Sequence, residues 1–380
     1  MTLTNALTAI GAPALPEGDT PRLYVDTDVV ADAYVALESA LPGVRLHYAV
    51  KANPAAEILA RLQRLGCAWD VASPGEIRDV LTAGGRPEDL SYGHPVKHPR
   101  DIAYAYEVGV RAFTFDSPDE LDKLLRHAPG ALLLVRITTS GSGADWALSS
   151  KFGCGAEDAE RLLQAAARAD HPVGVAFHVG SQQRDPDAWL EPLRTTALLR
   201  DALRRHGADL AMVDIGGGFP CDTFDLTPRI EEYGRRVMAA IRAVFDEDVP
   251  PLMAEPGRAL VAHGGVLETE VLLVADRADG RWVYLDAGVF GGLAETLGES
   301  IKYRLDVRRD GRPLSGRTLP VVLAGPTCDS VDVLYREHRY ALPADLRCGD
   351  RVLFHATGAY TTTYSSVGFN GLPPLSATYR

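Results

Sequence analysis

The sequence contains few cysteines and no long hydrophobic run, and these shortages exclude several classes of protein. Its five cysteines are scattered and form no C-x-x-C pair, so neither a disulfide scaffold nor a cysteine-rich zinc module is indicated. No stretch of about 18 consecutive apolar residues occurs, and the first basic residue is Arg22, so the sequence predicts neither a membrane span nor a secretory leader. We therefore expect an unprocessed cytoplasmic protein with reduced thiols and no metal site.

Positive charge is also in deficit. Lys and Arg together number 39 against 51 Asp and Glu, for a formal net charge of −12, which disfavours nucleic acid and anionic membranes as partners. We expect a small-molecule partner instead. Few side chains can supply a primary amine, because the only lysines are Lys51, Lys97, Lys123, Lys151 and Lys302.

The remaining composition is that of a folded chain. Hydrophobic residues make up 46% and charged residues 24% of the 380 positions, close to the average for globular proteins. This length accommodates two domains, or one large barrel with an appendage.

Short apolar runs alternate with amphipathic helical patterns through the first two thirds of the chain. Helical spacing is clear at Glu57–Leu65, Pro74–Ala83 and Ala156–Ala169. Repeated strand–helix alternation with short loops predicts parallel βαβ units, and eight such units favour a closed (β/α)₈ barrel over the alternative, an open doubly wound sheet. The predicted strands are His47–Lys51, Ala68–Ser73, Leu90–Gly93, Ala112–Asp116, Leu132–Ile137, Val173–Gly180, Met212–Ile215 and Leu252–Glu255.

The pattern changes after about residue 264, where β-rich runs are separated by turns. We expect residues 27–264 to form the barrel and residues 265–380 to form a second, mostly antiparallel β domain. Residues 1–26 form an N-terminal segment whose Arg22–Val25 run is expected to pair with that domain. The predicted strands here are Gly265–Val274, Arg281–Leu285, Leu319–Leu323 and Asp350–Phe354.

Several of the predicted barrel strands end in polar or glycine-rich sequence. Because active sites of such barrels lie at the carboxyl ends of the strands, we expect these residues to converge at one mouth. They are Lys51, Arg136, His178 with Ser181, Gly216–Gly218 and Glu255.

Each of these features alone has an ordinary explanation, such as a surface lysine, a glycine turn or a core histidine. Together they match the requirements of pyridoxal phosphate. A lysine amine binds its aldehyde, an imidazole stacks on its ring, and an acid protonates its pyridine nitrogen. Exposed N–H groups of Gly216–Gly218 suit its phosphate, and Arg258 adds a charge-assisted contact.

Five segments in this order resemble the fold type III, or alanine-racemase-fold, pyridoxal phosphate decarboxylases of basic amino acids, and most of all the ornithine decarboxylases. The resemblance runs from about Tyr24 to Pro374 and implies a barrel followed by a β domain. The segments are Tyr48–Asn53, His178–Ser181, Asp214–Pro220, Glu255–Arg258 and Gly325–Ser330.

The resemblance also implies a role for individual residues. Lys51 and Cys328 are the implied catalytic residues, with Lys51 joined to the cofactor aldehyde and Cys328 returning a proton to the α-carbon. In this family the segment with Cys328 reaches into the neighbouring subunit, which implies a homodimer with shared active sites. The implied cofactor-binding residues are Lys51, Asp70, Arg136, His178, Ser181, Gly217, Gly218, Glu255, Gly257, Arg258 and Tyr360. The implied substrate-binding residues are Cys328, Asp329, Glu299 and Tyr360.

The implied reaction is decarboxylation of L-ornithine to putrescine. Asp329 follows the cysteine as in ornithine or lysine decarboxylases, whereas diaminopimelate decarboxylases have a glutamate there. Lysine, diaminopimelate, and D-configured or carrier-tethered diamino acids remain alternatives, and so does the pathway served, polyamine supply or secondary metabolism. Racemisation is disfavoured by Glu255, since racemases of this fold have an arginine there. A catalytically silent, partner-binding relative would be expected to lack Lys51, Cys328 or Asp329. All three residues are present, which disfavours that alternative.

The segment Thr138–Phe152 is rich in Gly and Ser and follows the fifth predicted strand. Its composition suits either a mobile lid over the barrel mouth or a static surface loop.

Overall fold

The computed structural model describes residues 19–146 and 151–380. Most of the expected N-terminal segment, and residues 147–150 of the expected lid, therefore lie outside the described residues.

Nineteen strands are formed within the described ranges. In chain order they are β1 (Arg22–Val25), β2 (Val44–Ala49), β3 (Ala68–Val71), β4 (Leu90–Tyr92), β5 (Ala112–Phe115), β6 (Leu132–Arg136), β7 (Ala144–Trp146), β8 (Val173–Ala176), β9 (Ser181–Gln183), β10 (Leu210–Asp214), β11 (Leu252–Ala254), β12 (Gly265–Arg277), β13 (Gly280–Leu285), β14 (Leu305–Arg309), β15 (Arg312–Pro313), β16 (Thr318–Ala324), β17 (Val333–Pro343), β18 (Arg351–His355) and β19 (Ser376–Tyr379).

The α-helices of the described ranges precede, connect or follow the barrel strands. They are α1 (Thr27–Ala40), α2 (Ala56–Gln63), α3 (Pro74–Thr82), α4 (Pro99–Glu107), α5 (Pro118–His127), α6 (Ala156–Arg168), α7 (Leu190–Arg204), α8 (Ile230–Phe245) and α9 (Arg258–Val261). Within residues 19–146 and 151–380, none of the helices is long and apolar enough to cross a membrane.

Eight parallel strands form a closed barrel in the order β2, β3, β4, β5, β6, β8, β10, β11, and β11 pairs with β2 to close it. The predicted barrel is therefore confirmed, and the open doubly wound alternative is wrong. Each predicted strand overlaps an observed one, although several end earlier. The sixth predicted strand ran to Gly180, but β8 ends at Ala176, and the chain then bends at Gly180, whose φ is +99°.

Local sequence explains where helices begin. α3 and α5 both start with a Ser-Pro pair in which the serine hydroxyl accepts a hydrogen bond from a backbone N–H, that of Glu76 on Ser73 and that of Glu120 on Ser117. Proline at the first helical position loses no hydrogen bond there and its fixed φ suits the helix. These caps set the short loops that return the chain to the barrel.

The second sheet has nine strands and is mixed rather than purely antiparallel. β1 pairs antiparallel with β12 through Arg22–Val25 and parallel with β19, while β13 pairs parallel with β16. β14, β15, β17 and β19 were not predicted from the sequence. β17 carries the charged segment Arg336–Arg339 on a partly exposed strand, which hides its β character from an apolar pattern.

The closeness of the barrel strands predicts a steric effect at Gly174 in β8. A Cβ atom there would lie 2.4 Å from the Met212 carbonyl oxygen and 2.5 Å from Leu134 Cδ2, so Gly174→Ala is expected to lower the free energy of unfolding by about 2–3 kcal/mol. The matched control is Gly155→Ala, since a Cβ at Gly155 would have no heavy atom within 4 Å; it is expected to cost less than about 1 kcal/mol. Urea denaturation measures both, and equal losses would contradict the packing argument.

Candidate active site

A cavity of about 440 Å³ opens at the carboxyl ends of the barrel strands. It is lined by most of the residues that the sequence singled out for the cofactor. These are Lys51, Arg136, His178, Ser181, Gly218, Glu255, Gly257, Arg258 and Tyr360. Asp70 and Gly217, the other two, lie directly behind this lining, in contact with Lys51 and next to Glu255 respectively.

Lys51 follows β2 and extends its amine into the cavity. Its Nζ donates a hydrogen bond of 2.6 Å to Oδ2 of Asp70, which is 2% exposed at the end of β3. Burial alone disfavours the ammonium, but the charge of Asp70, with lesser effects of Tyr360 and Glu255, outweighs it and raises the pKa of Lys51. The carboxylate therefore fixes the direction of the amine.

Glu255 forms a buried carboxyl pair with Asp214. A hydrogen bond joins the two side chains, and burial followed by the nearby charge of Asp214 raises the pKa of Glu255 well above its ordinary value. Oε1 of Glu255 and Oδ1 of Asp70 have no hydrogen-bond partner among the described residues. Gly93 makes room for them, because a Cβ there would lie 2.2 Å from Asp70 Oδ1. Buried polar atoms without partners indicate a site for a bound group.

His178 is a neutral imidazole. Burial, then the charges of Arg136 and Lys51, lower its pKa to about 3. Its Nδ1 accepts a 3.0 Å hydrogen bond from the Gly180 N–H, which orients the ring. An uncharged flat ring on the cavity wall is suited to stacking against another ring.

Gly216–Gly218 form a backbone cradle after β10. Gly216 and Gly218 have φ of +70° and +99°, a region that glycine adopts most readily. Side chains would also collide with backbone, since a Cβ at Gly216 would lie 2.0 Å from the Phe177 oxygen and one at Gly218 would lie 2.3 Å from the Gly180 oxygen. The glycines therefore let the segment pack closely against neighbouring backbone, and Gly218 lines the cavity beside Arg258.

Sequence reasoning missed Glu295, which is buried beside this cradle. Its carboxylate accepts two hydrogen bonds from Arg258, one of them 2.8 Å from Nη1 to Oε2. Nη2 of Arg258 also lies 3.4 Å from Ser181 Oγ, and the guanidinium lies 5.1 Å from the centre of the Tyr360 ring. Glu295 lies beyond the barrel in the sequence, so no barrel-strand motif could have identified it.

The rim of the cavity includes part of the segment predicted as a lid. Trp146, Lys151 and Phe152 line the cavity. β7, at Ala144–Trp146, pairs antiparallel with β9 in a two-stranded sheet, so this part of the segment is a β-strand. His94, also missed by the sequence reasoning, lines the rim. The centre of its ring lies 5.4 Å from the centre of the Phe152 ring.

Cys328 and Asp329 do not line this cavity. Both are exposed on the loop between β16 and β17, where the Cys328 N–H donates a 2.9 Å hydrogen bond to Asn370 Oδ1. The chain's own site therefore lacks the two residues that the resemblance assigns to proton return and substrate recognition.

Glu299, expected in the substrate site, lies outside the cavity of its own chain. Its carboxylate accepts hydrogen bonds from three backbone N–H groups, at 2.7 Å from Arg336, 2.7 Å from Glu337 and 2.9 Å from His338, and it does not line the cavity. The helical turn breaks at Leu297–Gly298, so Glu299 turns toward β17 while Glu295 faces the cavity.

The arrangement fits pyridoxal phosphate. An amine, a neutral imidazole, a buried acid with an unpartnered oxygen, and a glycine cradle beside an arginine surround one cavity. These are the groups needed for its aldehyde, ring, pyridine nitrogen and phosphate. In the part of the chain that the structure describes, no group of three or more His, Cys, Asp and Glu side chains is placed to hold a metal ion.

Comparison with known proteins agrees with this fit. Residues 27–262 match the family model described as pyridoxal-dependent decarboxylase, pyridoxal binding domain. The lysine/ornithine decarboxylase of Selenomonas ruminantium is 36% identical over 354 residues, covering 93% of this chain and 87% of that protein. The ornithine decarboxylase of Schizosaccharomyces pombe is 34% identical over 379 residues, covering 97% and 84%.

A solved structure gives the same relationship in three dimensions. The lysine/ornithine decarboxylase of Vibrio vulnificus, crystallised with cadaverine, has a TM-score of 0.85 and 32% identity, covering 95% of this chain and 94% of that one. The barrel, the cavity and the sequence match thus lead to one assignment. The chain belongs to the pyridoxal-dependent decarboxylases of the alanine-racemase fold, and its cofactor is pyridoxal phosphate.

Proposed function

We propose that this decarboxylase acts on a basic amino acid, with L-ornithine as the preferred substrate, and releases putrescine and CO₂. The observation that carries the proposal is Asp329, an exposed carboxylate next to Cys328 on a hydrogen-bonded loop. A carboxylate there suits a substrate with a distal ammonium and not one with a distal carboxylate. The similarity to enzymes named for ornithine and lysine supports the same class.

Bound pyridoxal phosphate supplies an aldehyde that links covalently to amines and a ring that accepts the electron pair released when CO₂ leaves. In our proposal Lys51 would hold that aldehyde, and Asp70 would orient the Lys51 amine. Glu255, whose buried Oε1 has no partner among the described residues, would face the ring nitrogen and accept a hydrogen bond from the proton there. His178 presents its neutral ring to the cofactor face, and Arg136 lies at the same wall.

The phosphate end of the site is assigned to the glycine cradle. Gly217 and Gly218 contribute backbone, Ser181 contributes a hydroxyl, and Arg258 contributes the charge. Tyr360 closes this end from the β domain. Its backbone N–H donates a 2.8 Å hydrogen bond to the Ala52 carbonyl, which holds it in place. Gly257 allows the approach of Tyr360, because a Cβ there would lie 3.2 Å from the Tyr360 hydroxyl.

We assign Cys328 and Asp329 to the active site of a second copy of the chain. They are exposed in their own subunit, and apolar side chains around them are exposed as well, which is typical of a surface covered in an assembly. Those side chains, with their exposed fractions, are Val331 (52%), Val367 (86%), Phe369 (37%) and Leu372 (41%). In the resulting homodimer, residues 27–264 supply the cofactor barrel and residues 265–380 lend this loop, with β1 (Arg22–Val25) paired to the β domain.

L-Lysine is the second candidate substrate. With Glu299 engaged by three N–H groups outside the cavity, no acid at that position limits the length of the substrate side chain. Two similar enzymes are named for lysine as well as ornithine.

Product analysis decides between these substrates. Cofactor-loaded protein incubated separately with L- and D-ornithine, L-lysine, L-arginine, diaminopimelate and 2,4-diaminobutyrate is expected to give the highest kcat/KM with L-ornithine, measured as putrescine by mass spectrometry together with CO₂. If cadaverine from L-lysine is the main product, the preferred substrate is L-lysine and not L-ornithine. Turnover of none of these amino acids would contradict the proposed substrate class.

Asp329→Asn is expected to lower kcat/KM for L-ornithine by about 10²-fold, because it removes the charge facing a desolvated ammonium. Asp345→Asn is the control, since Asp345 is an exposed aspartate of the same domain whose side chain meets Arg309; it should leave kcat/KM unchanged. If both variants change kcat/KM equally little, Asp329 is not part of the substrate site.

Mixed dimers test the shared site. Lys51→Ala and Cys328→Ala should each lose activity as homodimers, Cys328→Ala by about 10²–10⁴-fold for a proton-transfer residue. Mixing the two variants is expected to restore activity, because one of the two sites then combines an intact Lys51 with an intact Cys328. Absence of any recovery, with mixed dimers verified by native mass spectrometry, would contradict the sharing of residues between subunits.

A further inference from the structure

Asp332 is a buried carboxylate beneath the loop that carries Cys328 and Asp329. It is 3% exposed, and in the described ranges no Lys, Arg or His forms an ion pair with it. Its oxygens instead accept hydrogen bonds from the loop and from the segment after β13. Oδ1 accepts from the Val289 N–H at 2.8 Å, and Oδ2 accepts from Thr327 N at 3.0 Å and from Thr327 Oγ1 at 2.7 Å.

The surrounding backbone leaves room for this side chain and no more. A Cβ at Gly288 would lie 2.0 Å from Asp332 Oδ1, and a Cβ at Gly325 would lie 2.3 Å from the same atom. The main chain closes around it as well, since the Gly325 N–H donates to the Asp332 carbonyl at 2.9 Å and the Asp332 N–H donates to the Asp329 carbonyl at 3.1 Å. Residues 325–332 are therefore built around one carboxylate.

This arrangement joins the base of the loop, at Thr327 and Asp332, to its tip, at Cys328 and Asp329. Thr327, which Asp332 holds, immediately precedes Cys328, and Asp329 is one backbone hydrogen bond from Asp332. At the tip, Asn370 holds only the Cys328 N–H. A shift of the base would move both exposed side chains together.

We propose that Asp332 is a positioning residue for the reaction, which orients the Cys328 thiol and the Asp329 carboxylate without touching the substrate. This inference rests on the proposed function, in which Cys328 and Asp329 act in the partner's site. The charge matters as well as the shape. A carboxylate accepts hydrogen bonds from the Thr327 N–H, the Thr327 hydroxyl and the Val289 N–H at once. An asparagine with its amide nitrogen at the position of Oδ2 would instead direct a donor toward the Thr327 N–H, which is also a donor.

The test is Asp332→Asn in the full-length enzyme loaded with pyridoxal phosphate. We expect kcat to fall by about 10²-fold, since a displacement near 1 Å has such an effect on a positioned reacting group, and KM for L-ornithine to rise because Asp329 moves too. The bound-cofactor absorbance should stay that of the unmodified enzyme, since the cofactor cavity is untouched.

Asp350→Asn is the matched control. Asp350 is equally buried in the same domain and accepts hydrogen bonds from the Arg347 N–H and from Arg309, but it does not contact the loop at 325–332. It should lower the thermal midpoint at least as much as Asp332→Asn while leaving kcat near that of the unmodified enzyme. If kcat follows the thermal midpoint in both variants, or if Asp332→Asn leaves kcat unchanged, the positioning role is wrong.

Mixed dimers separate this inference from the proposed function. Asp332→Asn mixed with Lys51→Ala should recover activity, because the Asp332→Asn subunit keeps its own Lys51 and receives an intact loop from its partner. Asp332→Asn mixed with Asp329→Asn should recover none, because both loops are altered. Recovery in the second mixture, or none in the first, would overturn the action of Asp332 through the loop, whereas failure of the unmodified enzyme to decarboxylate would overturn the proposed function itself.

Discussion

The site depends on the burial of three carboxyl groups, Asp70, Asp214 and Glu255, at one mouth of the barrel. Isolated buried carboxylates are unfavourable, and here the cost is partly offset by a shared hydrogen bond between Asp214 and Glu255 and by the Lys51 ammonium on Asp70. The compensation is incomplete, since Glu255 Oε1 and Asp70 Oδ1 keep no partner among the described residues. A cationic ring nitrogen is the kind of group that such a site attracts.

The second constraint is that the barrel alone does not complete the cavity. Arg258, at the end of the barrel, pairs with Glu295 of the following domain, and Tyr360 from the same domain lies across the guanidinium. Both partners of the Arg258–Glu295 pair are almost fully buried. Because removing one partner of such a pair leaves an uncompensated charge, the two domains are held in register at the phosphate end of the site.

The barrel and much of the candidate site were predictable because their signals are local. Parallel strands buried on both faces appear as apolar runs, and Lys51, His178 and Glu255 lie where those runs end. Glu295 and Glu299 show the limit. Both belong to one short segment, and only the break at Leu297–Gly298 decides that Glu295 faces Arg258 while Glu299 caps the backbone of β17. β17 itself escaped prediction because its charged side chains mask the strand pattern.

The sequence by itself determined the barrel, the order of the chemical groups around it and the pyridoxal phosphate cofactor, since each depends on residue type and strand period. Only the tertiary structure decided which charges meet. It placed Arg258 against Glu295, Asp214 against Glu255, and Cys328 with Asp329 outside their own cavity on a loop built around Asp332. The reason is physical: ion pairs and buried hydrogen bonds join residues distant in sequence, and their geometry exists only once the strands have closed and the second sheet has packed.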